Sequence, residues 1–179
     1  MNMIRVITDL DFNMKPMEFN QPKIRMSARG LVFDDHFRIA LLHNQNTKVY
    51  KLIGGGIEEN ETPQVAFMRE TLEETGCKVF IDNNLGMIQE NRTHNNSIQF
   101  SYVYISHVVE DTHLVCFTEE EKEDGAKLVW VDIDEAIRVL KECENCIYHS
   151  DTKEDYSKKF MFCRDSTILE IYKEKYASF

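Results

Sequence analysis

The hydrophobic pattern of the chain changes period several times. An apolar opening leads into an arm holding Pro16 and Pro22, so residues 1–25 read as an N-terminal strand followed by irregular chain. From Ser27 the pattern turns β-rich: Ala28 to Phe33, a turn at Asp34-Asp35-His36, then Arg38 to His43, which predicts a hairpin. Val49 to Ile53 predicts a short strand running into Gly54-Gly55-Gly56. The next segment has strong helix punctuation. Thr62 can cap it, Pro63 suits its first turn and Gly76 suits the left-handed position past its end, so a helix is expected over 63–75. Strands are then predicted at Lys78 to Ile81, Leu85 to Glu90, Ile98 to Val109 and Val129 to Val131. A helix follows from Asp134 to about Cys143, and a last amphipathic helix spans 156–177, with Phe160, Cys163, Ile168, Ile171 and Tyr172 on one side. This order implies an α/β fold with a mixed β-sheet and helices on its faces. Gly (7) and Pro (3) are too scarce to mark a linker, so the reading is one domain over 27–179 with residues 1–26 as a strand and arm packed on it.

Composition narrows the function. The 179 residues are 42% hydrophobic and 29% charged, the balance of a globular protein with a real core. A net charge of -10 is opposite in sign to a protein that coats nucleic acid. No run approaches the ~18 apolar residues of a membrane helix and no secretory leader is visible, so no membrane partner and a cytoplasmic location are expected. Five cysteines are an odd number in a chain too long to need stapling, which fits free thiols. Cys143 and Cys146 form a C-x-x-C with His149 close behind; with no second pair to complete a zinc site, they read as ordinary thiols after a helix. Asp9, Asp11 and Asn13 open like a calcium loop, but Met14 and Asn20 stand where that loop needs Gly and Glu.

The chemistry concentrates between Gly55 and Cys77. At 100° per residue, Glu70, Glu73 and Glu74 fall within roughly a 100° arc, while Val65, Met68 and Leu72 form another face, expected to be core. Locally the carboxylates are a poor choice: Glu70 and Glu74 are a like-charge i,i+4 pair, and Glu73 and Glu74 sit at the negative end of the helix dipole. Such rule-breaking is accounted for by a divalent cation. Clustered oxygen donors suit Mg²⁺ or Mn²⁺, and Mg²⁺ typically shares its shell with substrate phosphates. Arg69, one turn before Glu73, is placed to hold that carboxylate, and the triple glycine lets backbone approach a metal or phosphate.

Gly55, Glu61, Arg69, Glu70, Glu73, Glu74 and Gly76 match the signature G-x5-E-x7-R-E-U-x-E-E-x-G-U, where U is a bulky aliphatic. The chain therefore resembles the Nudix hydrolases, and its bacterial MutT-like branch in the segments SARGLVFDDHFRIALLH, QFSYVYISHV and TEEEKEDG before LVWVDIDEAI. Thr71 and Cys77 depart from the aliphatic positions, and Ile53 stands where relatives carry Pro. The resemblance implies an α/β/α sandwich that cleaves a diphosphate linkage in a nucleotide with Mg²⁺ or Mn²⁺. It implies metal ligation by Glu70, Glu73, Glu74 and the Gly55 carbonyl, and catalytic work by Glu70, Glu73, Arg69 and a carboxylate of the run Glu119-Glu120-Glu121-x-Glu123, with Glu120 the choice within that run. The residues that mark ADP-ribose and dinucleoside polyphosphate enzymes downstream of the box are replaced by Thr93, His94 and Asn95. Absence of these and of the coenzyme A and NADH signatures leaves a nucleoside triphosphate, oxidised or not, as the expected substrate. A nucleotide sugar or ADP-ribose, or a non-catalytic nucleotide sensor, are the alternatives, and a homodimer is compatible with the chain. Trp130 is expected to pack, His94 to be an exposed loop residue, and Tyr102 and Tyr104 to share a face, as core or as a base-stacking surface.

Overall fold

The computed structural model describes residues 1–147 and 152–176. In chain order the elements are β1 (Met3–Thr8), β2 (Lys23–Phe33), β3 (Ile39–Asn44), β4 (Val49–Gly56), α1 (Pro63–Thr75), β5 (Cys77–Arg92), β6 (Ser97–Asp111), α2 (Glu119–Glu123), β7 (Ala126–Val131), α3 (Ile133–Ile147) and α4 (Lys153–Tyr176). The strands form one mixed sheet in the order β1-β5-β6-β2-β4-β3-β7, with β1/β5 and β2/β6 parallel and the other neighbours antiparallel.

Two strand expectations change. The predicted hairpin is a tight turn, but β2 and β3 share only the pair Phe33 and Ile39. β4 lies between them, pairing through Ile53–Gly56 with β2 and through Val49–Leu52 with β3. The second change is that Lys78–Ile81 and Leu85–Glu90 belong to one strand, β5, which crosses the polar Asp82-Asn83-Asn84 by register shifts against β6. A bulge absorbs an unpaired residue without ending a strand, so polar residues there need not signal a loop.

Neighbouring residues on each central strand feed opposite layers, as pleating requires. Val32, Ala40, Leu42, Ile53 and Tyr104 pack with Ala66 and Phe67 of α1. Leu31, Leu41, Leu52, Ile88 and Val103 pack with Leu140 of α3 and with Phe160 and Ile168 of α4. The result is an α/β/α sandwich. Ile7 and Phe12 of the N-terminal segment join the second layer. The buried Asp9 ties that segment down, accepting hydrogen bonds from Thr93 Oγ1 at 2.7 Å and Tyr156 Oη at 2.8 Å.

α3 runs further than expected, so Cys143 and Cys146 lie inside it rather than after it. Cys143 is buried and its Sγ donates to Lys48 O, whereas Cys146 is exposed; His149 lies outside the described residues. α4 begins before residue 156, and residue 177 is outside the described residues. Among the described residues no helix is long and apolar enough to cross a membrane.

Candidate active site

α1 carries the site, and its ends are set locally. Thr62 Oγ1 accepts from Val65 N, Pro63 occupies the first turn, and Gly76 closes the helix in the left-handed region at φ 71°. Which face it buries departs from the sequence reading. Val65, Met68 and Leu72 are 52%, 46% and 36% exposed. The buried face consists of Ala66, Phe67, Thr71 and Thr75, with Glu70 and Glu74 near its middle. Two features permit this rotation. The Thr71 and Thr75 hydroxyls donate to Phe67 O and Thr71 O one turn back, so both threonines can be buried without an unpaired donor. In addition, β4 offers glycine backbone where the glutamates land.

The contact with β4 is close. A Cβ on Gly55 would overlap the Glu70 carboxylate, so only glycine allows that approach. Gly54 N donates to Glu74 Oε2 at 2.8 Å. Glu74 Oε1 lies 3.2 Å from Lys51 Nζ, and the same ammonium is 3.1 Å from Glu121 Oε1. Burial, reinforced by Glu121 and Glu70 and opposed by Lys51 and the Gly54 N–H, lifts the Glu74 carboxyl to about 7. Burial also raises Glu70, against the pull of Arg69. The carboxylates of Glu74 and Glu121 outweigh burial at Lys51 and hold its ammonium above its ordinary value.

Arg69 organises the other side of the box. Its Nε and Nη2 donate to the two oxygens of Glu61 at 2.8 and 3.0 Å, Nη2 also to Gly56 O at 3.0 Å, and Nη1 to Glu70 at 2.9 Å and Glu73 at 3.2 Å. This guanidinium holds Glu61 down at about 2. Arg69 thus joins the glycine loop to the helix.

A cavity of about 440 Å³ opens beside this constellation. Gly54, Gly55, Gly56, Glu70 and Glu74 form one side, joined by Lys51 from β4 and by Glu120, Glu121 and Asp124 from the α2 region. Glu73 is not among the lining residues: it occupies the outer edge of the carboxylate arc, 42% exposed, turned to Arg69. The acidic run is partly a short helix rather than a solvated loop. Thr118 is its N-cap, and Glu121 closes the capping box by accepting from Thr118 N at 3.0 Å and also holds Lys51. Lys51, against the effect of burial, keeps Glu121 below the ordinary carboxylate range. Glu120 is exposed at the cavity, and its carboxylate has no ion-pair or hydrogen-bond partner among the described residues. Glu119 turns outward to Lys122 at 2.6 Å.

The opposite wall was not foreseen: Arg25 and Arg29 of β2, Gln99 of β6, Arg92 of β5, and Lys158 and Arg164 of α4. Burial and the adjacent Arg164 lower the Arg29 guanidinium to about 10. The signal in the sequence was the alternation in β2: Arg25, Ser27 and Arg29 occupy the face that continues as the core residues Leu31 and Phe33. Tyr104 and Tyr102 face the other way, into the α1 layer, where Tyr104 stacks on Phe67 at 5.4 Å; they are core, not part of the cavity. Trp130 packs at the edge of the same layer. His94 is exposed, as expected, in the short turn between β5 and β6, with Nε2 3.1 Å from Lys15 O, and is not at the cavity.

The donor set suits a hard divalent cation: Glu70 and Glu74 face the cavity, and burial favours their neutral forms, a cost that a bound dication reverses. Among the described residues no three Asp, Glu, His or Cys side chains already converge on one point, because Lys51 and Arg69 are interleaved with the carboxylates. The chemistry of Glu70 and Glu74 fits a divalent metal.

Residues 23–149 match the family model described as the NUDIX domain. The chain belongs to the Nudix family. A human diphosphoinositol polyphosphate phosphohydrolase 3-beta is 34% identical over 88 residues, 49% of this chain and 50% of that protein. A MutT-like protein of Streptomyces ambofaciens is 31% identical over 74 residues, 41% of this chain and 48% of that one. This Nudix chain thus spans about half the length of these curated relatives. A NUDIX hydrolase from Nitrosomonas europaea shares the fold at a TM-score of 0.54 and 21% identity, over 78% of this chain and 92% of that one. A C. elegans Ap4A hydrolase does so at 0.54 and 14%, over 87% and 99%. The Nudix box is the segment that places Glu70 and Glu74 against the glycines of β4.

Proposed function

We propose that this protein is a metal-dependent hydrolase that cleaves a diphosphate linkage in a small phosphorylated substrate. The observation that carries this reading is the pair of cavity-facing carboxylates, the half-buried Glu70 and the buried Glu74, set directly on the Gly54-Gly55 backbone. Glu70 and Glu74, with Glu73 and the Gly55 carbonyl as the further donors the family resemblance implies, are the residues that would hold Mg²⁺ or Mn²⁺. When bound, such a cation supplies charge neutralisation for phosphate oxygens and acidifies a water molecule. The protein's own groups do the rest. Arg69 keeps Glu61, Glu70 and Glu73 in register with the Gly56 carbonyl, Lys51 balances the charge of Glu74 and Glu121, and Glu120, free of ion pairs among the described residues, accepts the proton of the attacking water. A nucleoside triphosphate is the substrate favoured by the sequence. The curated relatives named for diphosphoinositol polyphosphates add a second class, a phosphorylated polyol diphosphate.

The test is a panel of nucleoside triphosphates, nucleotide sugars and inositol diphosphates incubated with Mg²⁺ and with EDTA, products being resolved by anion-exchange chromatography. Turnover that needs metal and falls at least about a hundredfold in Glu70→Gln is expected. Undiminished turnover in EDTA overturns the reading.

A further inference from the structure

The wall of the cavity that faces the acidic helix holds more positive charge than its neighbours neutralise. Arg92 Nη2 pairs with Glu90 at 2.7 Å, and Arg164 pairs with Asp165 at 2.8 Å and with Glu90 at 3.4 Å. Asp165 is further committed, accepting from Leu52 N at 3.0 Å. Glu90 and Asp165 are thus engaged directly by two other guanidiniums; both, with Glu74, attract Arg29 at longer range, but none of them hydrogen-bonds or ion-pairs with it. Arg29 is only 6% exposed, lines the cavity, and makes no hydrogen bond or ion pair among the described residues, with its Nε buried and unpartnered. Arg92 Nε is likewise buried without a partner. Arg25, four residues before Arg29 on the same strand face, reaches the mouth of the cavity beside Gly56.

An unpaired guanidinium buried in the interior is costly, and a folded protein retains one where a ligand supplies the missing anion. The rest of the lining says what kind. Among the described residues it contains no aromatic ring, and Met161 is its one apolar side chain apart from glycine. Nucleobases are commonly held by stacking on aromatic faces, and the tyrosines of β6 that could do so lie on the other side of the sheet. Arginine is the residue suited to phosphate oxygens, through forked, charge-assisted hydrogen bonds.

We propose that Arg25, Arg29 and Arg92 form a subsite for phosphate monoesters, so that the substrate is a compact, base-free, multiply phosphorylated moiety whose diphosphate lies toward Glu70 and Glu74. This rests on the hydrolase reading for the position of the diphosphate alone. Arg29 supplies the deep contact, Arg92 the flank and Arg25 the entrance. Arg164 is held by Glu90 and Asp165 and anchors the wall rather than facing the ligand.

Calorimetric titration of the full chain in EDTA with inositol hexakisphosphate, which carries phosphate monoesters and no anhydride, tests the subsite apart from turnover. It is expected to bind at least about tenfold tighter than ATP at the same ionic strength, with Arg29→Gln and Arg92→Gln each weakening it about tenfold or more. Arg25→Gln removes an exposed side chain and leaves folding untouched, so its expected loss of affinity keeps the test open if the buried variants misfold. Arg38→Gln, whose guanidinium pairs with Asp34 away from the cavity, should leave affinity unchanged. ATP binding as tightly as the hexakisphosphate, or affinity unmoved in Arg25→Gln and Arg29→Gln, overturns the proposal. Metal-dependent turnover of nucleotides without that preference overturns the subsite and leaves the hydrolase reading standing. Hexakisphosphate binding at the wall without turnover of any diphosphate supports the subsite and overturns the hydrolase reading.

Discussion

Replacing Glu74 by Gln should uncouple the stability of this protein from pH in a defined window. In the folded chain the Glu74 carboxyl is held at about 7 by burial, against an ordinary value of 4.5. The native state therefore binds this proton more tightly than the unfolded chain. The sign follows: below about pH 4.5 both states are protonated, and stability falls as pH rises from there toward 7, because the unfolded chain ionises first. Above about pH 7.5 both states are ionised and the loss is complete. At about 1.4 kcal/mol per pH unit, the two values place that loss at about 3 kcal/mol. Gln is neutral throughout, and its side-chain oxygen can still accept from Gly54 N, the bond Glu74 makes at 2.8 Å. Urea unfolding of both proteins in EDTA at pH 5, 6, 7 and 8 gives the comparison, with equal m values as the check that the denatured states match. The stability difference, variant minus wild type, should grow by about 3 kcal/mol across the window and stay level above it. Saturating Mg²⁺ should then restore stability to the wild type alone, since a ligand that binds only the native state adds to its stability. A difference that stays constant from pH 5 to 8, within about 1 kcal/mol, would refute the reasoning that burial sets this proton affinity.

Three further outcomes follow from the geometry. Glu120→Gln should lower turnover about a hundredfold or more, while Glu119→Gln, whose parent carboxylate pairs outward with Lys122, stays near wild type; turnover near wild type in Gln variants of all four glutamates from Glu119 to Glu123 would exclude a base from the run. Gly55→Ala should place its methyl group in the Glu70 carboxylate, costing turnover at least about tenfold and weakening Mg²⁺ binding in a direct titration, and wild-type metal affinity would show that the contact is slack. Phe67→Ala should cost about 3 to 5 kcal/mol in urea unfolding, since Phe67 is fully buried against Tyr104 between α1 and the sheet, and a cost under about 1 kcal/mol would mean that α1 is not anchored there.

The sequence by itself determined what depends on neighbours a few residues apart. The limits of α1 were legible because Thr62, Pro63 and Gly76 act through their own backbone, and the box residues were legible because their spacing is carried by one helix. Strand identity was mostly legible, but strand order was not: nothing within β2 and β3 announces that β4 will come between them, since that choice is made by pairing over long separations. The face of α1 was misread for a related reason. Hydrophobicity alone favours burying Val65, Met68 and Leu72, yet the helix turns inward two threonines whose hydroxyls bond its own carbonyls, the buried Glu74 and the half-buried Glu70, both against glycine backbone. Tertiary structure also separated the acidic run, giving Lys51 to Glu121 and leaving Glu120 unpaired at the cavity among the described residues. The arginine wall is the clearest case. Arg25, Arg92 and Arg164 stand in three elements far apart in the chain, and each alone reads as an ordinary surface charge. Only the folding of α4 against the sheet brings Arg164 beside Arg29 in a buried setting that leaves Arg29, among the described residues, without a hydrogen bond or ion pair, and that imbalance is a property of the assembled cavity.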